Sequence, residues 1–134
     1  FKLFIVTNQS GIGRGYFKFE DFLQYNNRVV EELKKNGIKI ENTYVCPHKP
    51  EDNCGCRKPK TKFLKDAEKG FGIRLSKSFM IGDKKIYIEM GHNAGCKSIL
   101  VLTGKGMKEK ENSKADYVAK DLVDAAEWIL ENDK

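Results

Sequence analysis

The stretch "SFMIGDKKIYIEMGHNAGCKSILVLTG" occupies residues 78–104. Its opening, SFMIGD (78–83), is a short apolar run that reads as a strand ending in Gly82-Asp83. Residues 85–94 then read as a helix, and GCKSILVLTG (95–104) supplies the next apolar strand. Strand, helix and strand at these lengths point to parallel pairing within an α/β sheet.

The same alternation continues outward. KLFIVTN (2–8) is a continuously apolar run rich in branched and aromatic residues, so it reads as a buried parallel strand. QSGIGRG (9–15) is expected to be a glycine-punctuated loop. Residues 19–35 place Phe19, Phe22, Leu23, Val30 and Leu33 at helical spacing, behind Lys18, a poor cap. Gly37 is the expected C-terminal stop. IKIENTYVC (38–46) is expected to be a strand, and residues 61–70 a helix with Thr61 as its cap. KGMKEKENSK (105–114) reads as a polar loop and ADYV (115–118) as a short edge strand. DLVDAAEWIL (121–130) is an amphipathic helix with Leu122, Ala125, Ala126, Ile129 and Leu130 expected on its buried side. The expectation is a doubly wound α/β fold, a mostly parallel sheet flanked by helices, forming one domain over residues 1–134.

Composition agrees with an ordinary globular domain. The chain has 134 residues, 40% hydrophobic and a third charged, with no repeat, low-complexity segment or apolar run long enough to span a membrane. The net charge of +6 raises the question of nucleic acid, but the lysines are scattered and form no basic run of five. Exposed aromatics interleaved with Lys and Arg, which a nucleic-acid module would use, are not evident. A cytoplasmic monomer with no nucleic-acid or membrane partner is therefore expected. Clustered cysteines in such a chain argue for metal over disulfides.

Three loops carry the chemistry. Cys46-x-His48-x5-Cys54-x-Cys56 offers three thiolates and one imidazole, a complete tetrahedral set for structural zinc. The alternative is a group of free surface thiols. Cys96, before an apolar strand, reads as a small core residue. Arg57-Lys58 follows the cluster directly, so a metal-locked loop would fix two cations where a phosphate suits them. Thr7-Asn8 stands past a strand end, where a hydroxyl and the amides of the glycine loop can meet a phosphate oxygen. Asp83 stands past another, where a carboxylate suits Mg2+. Open α/β sheets bind ligands beyond the carboxyl ends of their strands, so the three loops are expected at one edge.

VTNQSGIGRG, CPHKPEDNCGCRKPK, MIGD and AGCKSILVLTGKG together resemble the haloacid-dehalogenase (HAD) superfamily. Within it they are similar to the zinc-containing branch of heptose 1,7-bisphosphate and histidinol-phosphate phosphatases. The resemblance implies a Rossmann-like fold without a large cap domain. It also implies Mg2+-dependent hydrolysis of a phosphate monoester, on a small phosphorylated sugar, through an aspartyl-phosphate. Thr7 and Lys58 would contact the reacting phosphate, Asn8 and Arg57 would lie near the substrate, and Asp83 would help bind Mg2+. Cys46, His48, Cys54 and Cys56 would hold zinc. The tail SILVLTGKG with ADYVAKDLVDAAEWI looks more like the heptose enzymes.

Two departures stand out. The family begins with a strand ending in Asp-x-Asp, nucleophile and general acid, and these 134 residues contain no such pair. The nucleophile is therefore expected upstream of Phe1, and the chain alone is expected to be inactive. Family members also carry a second acid four residues after the Gly-Asp aspartate, where this sequence has Tyr87. That substitution favours a rival expectation, an inactive zinc-stabilised phosphosugar-binding paralogue.

Overall fold

A computed structural model describes residues 1–133, which form two compact units, the second beginning at Lys58. In the first unit, strand β1 (Leu3–Asn8) leads into a single helical turn α1 (Ser10–Gly13), helix α2 (Phe19–Lys35) and strand β2 (Ile40–Cys46). The loop expected at 9–15 is thus partly helical: the Arg14 N–H donates to the Ser10 carbonyl, closing one turn. Lys18 is relieved as a cap by Asp21, whose carboxylate accepts the Lys18 N–H at 2.9 Å. Gly37, with φ +80°, ends α2 as expected. β1 and β2 pair in parallel, with Thr7 opposite Val45 and Asn8 opposite Cys46. Helix α2 is tied to this sheet by Asn26, whose amide donates to the Thr43 hydroxyl at 3.0 Å. β1 is half-buried, with Leu3 exposed, against the expectation of a buried strand. Its sheet has two strands among the described residues, so β1 has one flanking partner.

The second unit contains helix α3 (Lys62–Phe71), strand β3 (Phe79–Gly82), helix α4 (Lys85–Asn93), strand β4 (Lys97–Val101), a helical turn α5 (Gly106–Glu109), strand β5 (Tyr117–Ala119) and helix α6 (Leu122–Asn132). Its sheet runs β3-β4-β5, all parallel, so the α/β reading of residues 78–104 is borne out. The polar loop expected at 105–114 contains α5. Thr61 makes no side-chain cap to α3. Gly91 lets α4 close onto the sheet, because a Cβ there would collide with Ser98 and Met80. The Ser98 hydroxyl donates to the Ile88 carbonyl at 3.0 Å, joining β4 to the same helix.

Ile99, Val101, Ala119 and Ala125 form the core of this unit, with Phe79, Ile81, Tyr117, Trp128 and Ile129 against them. The face of α6 differs from expectation. Leu122, Ala126 and Leu130 are exposed, while Ala125, Trp128 and Ile129 turn inward. The reason is aromatic packing: Trp128 stacks on Tyr117 at 5.0 Å between ring centroids and meets Phe79 edge-on at 6.3 Å. Cys96 is buried with Leu75 and Ala94, the small core residue it was expected to be.

Candidate functional site

In the first unit, parallel register brings the end of β1 level with the end of β2. β2 delivers Cys46 fully buried into the loop that follows. The loop folds back through a 3-10 turn at Pro50–Asp52, where the Lys49 N–H donates to the Asp52 carboxylate at 3.0 Å, and Asn53 adopts a left-handed φ of 49°. This return brings Cys54 and Cys56 onto Cys46 and His48. One ligand atom from each of the four lies within 4.8 Å of all the others. The Cys46 sulfur is 3.4 Å from Cys54 Sγ, 3.1 Å from Cys56 Sγ and 3.7 Å from His48 Nδ1, and Cys56 Sγ is 3.5 Å from His48 Nδ1. The four residues singled out by spacing are thus brought together in a set that could hold a metal ion.

The thiols are electrostatically unlike. Burial, with the neighbouring thiols, pushes Cys46 up to about 12. Burial also acts to raise Cys54, but the N–H groups of Cys56 and Arg57 and the adjacent thiols outweigh it and bring Cys54 down to about 6. The backbone therefore stabilises a thiolate at Cys54. Arg57 reaches back to the same loop, donating to the His48 carbonyl at 3.4 Å. Thr7, at the end of β1, accepts from the Gln9 side chain at 3.0 Å. Asn8 is half-buried beside it.

One contributor to this loop carries no signal of its own in the sequence. Gly13, the last residue of α1, donates to the Pro47 carbonyl at 2.9 Å. A Cβ at Gly13 would lie 2.9 Å from both the Lys49 nitrogen and the Pro47 oxygen. Only glycine allows α1 to rest on the backbone of the Cys/His loop at this distance. The glycine spacing of QSGIGRG marks a turn, and says nothing of what the turn touches.

In the second unit, Lys58 is 4% exposed, so its ammonium is withdrawn from solvent. Its Nζ lies 3.7 Å from the centroid of the Tyr87 ring. Tyr87 is on the first turn of α4, and its ring lies so close over Gly82 that a Cβ there would collide with it. Asp83 follows Gly82 directly. Its carboxylate accepts the Lys105 N–H at 2.9 Å, and a Cβ at Gly104 would collide with it. Gly104 has φ +59°, a conformation that favours glycine, so the turn after β4 is shaped to close on Asp83. Glu109 of α5 accepts the Lys85 N–H at 3.3 Å. The Tyr87 phenol is held above its ordinary range, first by burial and then by the Asp83 charge, and stays neutral. Lys58, Tyr87, Gly82, Asp83 and Gly104 thus form one group at the carboxyl end of β3. The sequence marked Lys58 and Asp83 separately. Gly104-Lys105 and the ring under Lys58 were not read from it, though two glycines in TGKG were the available signal for a close approach.

The family model described as HAD-hydrolase-like matches residues 55–125. The D-glycero-beta-D-manno-heptose-1,7-bisphosphate 7-phosphatase of Helicobacter pylori strain J99 is 41% identical over 130 residues, 96% of this chain and 73% of the relative. The bifunctional histidine-biosynthesis protein HisB of Blochmanniella floridana is 38% identical over 99 residues, 74% of this chain and 28% of that protein. The chain spans 63% of a second Helicobacter pylori relative and 52% of one from Thermoplasma acidophilum. Among solved structures, the D,D-heptose 1,7-bisphosphate phosphatase of B. bronchiseptica, complexed with magnesium and phosphate, superposes with a TM-score of 0.90 at 29% identity. That likeness covers 97% of this chain and 74% of the solved one. With its parallel strands, its Cys/His loop and its Gly-Asp strand end, the chain belongs to the HAD-like hydrolases, in the group that contains the heptose 1,7-bisphosphate 7-phosphatases.

Proposed function

We propose that this chain acts in the hydrolysis of a phosphate monoester of a small sugar bisphosphate, D-glycero-D-manno-heptose 1,7-bisphosphate. The observation that carries the reaction class is a water-shielded lysine, Lys58, in one group with Asp83 at a strand end. An ammonium withdrawn from water attracts phosphoryl oxygens more strongly than an exposed one. The sugar comes from the Helicobacter pylori relative, similar over nearly the whole chain. Histidinol phosphate, suggested by the HisB likeness, is the alternative substrate.

The reading gives each site residue a task. Lys58 binds and neutralises the reacting phosphate as a point charge. Thr7 donates its hydroxyl to a phosphate oxygen, and Asn8 and Arg57 orient the rest of the substrate. The Lys105 N–H and Gly104 hold the Asp83 carboxylate in a fixed direction. Asp83 would hold Mg2+, which prefers one or two carboxylates plus waters and phosphate oxygens. Bound there, the ion would offset charge on the phosphoryl oxygens.

Cys46, His48, Cys54 and Cys56 would hold zinc. A tetrahedral site with Zn–S of about 2.3 Å and Zn–N of about 2.0 Å has ligand-to-ligand edges of about 3.5–3.8 Å. The observed contacts of 3.1–3.7 Å approach those edges. Four protein ligands leave no position for substrate, so this zinc is structural: it fixes the loop that carries Arg57.

These residues include no Asp-x-Asp pair, which the reaction needs as nucleophile and general acid. In this reading the 134-residue chain binds phosphate without turnover. Release of phosphate from heptose 1,7-bisphosphate and histidinol phosphate should be measured in Mg2+ for the chain alone and for a form extended by an Asp-x-Asp strand. Turnover by the extended form alone is expected. Turnover by the short form would misplace the nucleophile. None by the extended form would favour a phosphosugar-binding paralogue, the reading that Tyr87 supports.

A further inference from the structure

We infer that Glu109 is a positioning residue for Asp83: its carboxylate latches the turn after β4 onto the start of α4, and that turn carries the N–H which directs the Asp83 carboxylate. The inference rests on the proposed role of Asp83 in binding Mg2+. The two segments exchange one bond each way. Asp83 Oδ2 accepts the Lys105 N–H at 2.9 Å, and Glu109 Oε2 accepts the Lys85 N–H at 3.3 Å. Asp83 and Lys85 stand on either side of Lys84, while Lys105 and Glu109 are the cap and the last residue of the single turn α5. Each segment thus supplies one carboxylate and one amide. A third contact fixes α5 itself, because a Cβ at Gly106 would collide with the Val101 carbonyl at the end of β4. The turn rests on β4 at its first residue and is held to α4 at its last.

The chemistry gives this arrangement a purpose. A carboxylate that binds a cation well has one oxygen aimed at the ion and the other held by a donor. The Lys105 N–H takes Oδ2, which leaves Oδ1 for a cation and opposes rotation of the group. That aim is only as fixed as the turn that carries Lys105. α5 has four residues, too few to keep its shape by its own hydrogen bonds. The start of α4 has a vacancy that suits the purpose: Lys84 makes no side-chain cap and the first turn contains no acid. Glu109 fills this place from outside the helix. A carboxylate does so as an acceptor, so the amide oxygen of glutamine should serve as well.

The test uses the full chain. Mg2+ affinity is read by titration calorimetry, and exchange protection of the Lys85 and Lys105 amides by NMR without Mg2+. Glu109→Ala should weaken Mg2+ about 10-fold, the low end for a residue outside the metal's own ligands. It should also expose the Lys105 amide, whose partner is Asp83 and not Glu109. Glu109→Gln should stay within about 2-fold of the original, with both amides protected. A glutamate that only caps α4 would, when removed, expose the Lys85 amide alone and leave Mg2+ affinity unchanged, and that result would overturn the inference. Equal losses in the Ala and Gln variants would overturn it too, since the charge would then act and the latch would not. Ser98→Ala removes the buried bond from β4 to the Ile88 carbonyl and should leave both readings as they are. A loss there equal to that of Glu109→Ala would reduce the effect to general stability and refute a positioning role. If Mg2+ fails to bind the original chain while Glu109→Ala still exposes Lys105, the latch stands and the assignment of Asp83 to Mg2+ falls.

Discussion

Replacing Gly13 by alanine tests how the Cys/His loop is held without touching any of the four residues proposed to bind zinc. The added Cβ would meet two backbone atoms at 2.9 Å, the Lys49 nitrogen and the Pro47 oxygen, where ordinary contact begins at 3.4 Å. Neither is the end of a flexible side chain, so the loop has to retreat by about 0.5 Å, stretching the Gly13 N–H bond to Pro47. Overpacking of this kind costs about 1–3 kcal/mol. Alanine's helical preference returns up to about 1 kcal/mol. The net expectation is a loss of about 1–2 kcal/mol, roughly 4–16 °C in Tm for a unit of this size. Gly70→Ala is the control. It lies within α3, its added Cβ meets nothing within 4 Å, and it should gain about 0.5–1 kcal/mol. Urea unfolding followed by circular dichroism reads both variants, and metal transfer to a chromogenic chelator reads the loop. Gly13→Ala should release metal faster, and Gly70→Ala should not. If Gly13→Ala unfolds and releases metal as the control does, α1 does not hold the loop.

Cys54→Ser should reduce bound zinc well below one per chain by elemental analysis. Amide exchange protection in β3, β4 and β5 should persist, because none of the four ligands belongs to that sheet. Lys58→Ala should weaken inorganic phosphate by about 1–3 kcal/mol in calorimetry, the scale of a charge-assisted contact; unchanged affinity would move the anion site elsewhere. Tyr87→Asp should raise Mg2+ affinity by about 10-fold or more, read by titration calorimetry, since it adds a carboxylate four residues from Asp83. Asp116 accepts the Ser98 N–H at 2.7 Å and faces His92 at 2.8 Å. Burial acts to raise its pKa, but those two partners outweigh it and hold the carboxyl below its ordinary range. A depressed carboxyl stabilises above its unfolded pKa and loses that contribution as pH falls through the folded one. Asp116→Asn should therefore cost stability at pH 5–7, under about 1 kcal/mol for so exposed a pair, and the deficit should close below about pH 4. Urea midpoints across that range check it.

Which parts of the molecule could be read from residues alone follows from the range of the forces involved. The strands and long helices are local: a run such as FMIG, or apolar residues at helical spacing in 19–35, declares its period within one segment. The Cys/His cluster is nearly local too, since four residues able to ligate a metal within eleven positions leave few other arrangements. The orientation of α6 is not local. Leucines and alanines predicted one inward face, yet the helix turns to put Trp128 on Tyr117, which no pattern within 121–130 contains.

The site divides in the same way, and Tyr87 shows why. Read as a residue type, it is an acid that is missing, and the natural conclusion is a weakened Mg2+ site. In the folded unit the same residue is a ring against a buried ammonium, and that contact needs three separate facts. Lys58 must be withdrawn from water, Gly82 must lack a side chain, and α4 must begin where its first turn passes over the strand end. In the sequence these appear as a lysine behind a Cys/His cluster, a glycine before an aspartate and a helix start, with nothing to join them. An aspartate here would add a carboxylate near Asp83 and a new ion pair to the Lys58 ammonium, so Mg2+ affinity should rise and phosphate affinity fall when Tyr87 becomes aspartate. Both rising together would mean that the carboxylate acts only on the metal and that the ring under Lys58 contributes nothing to the anion.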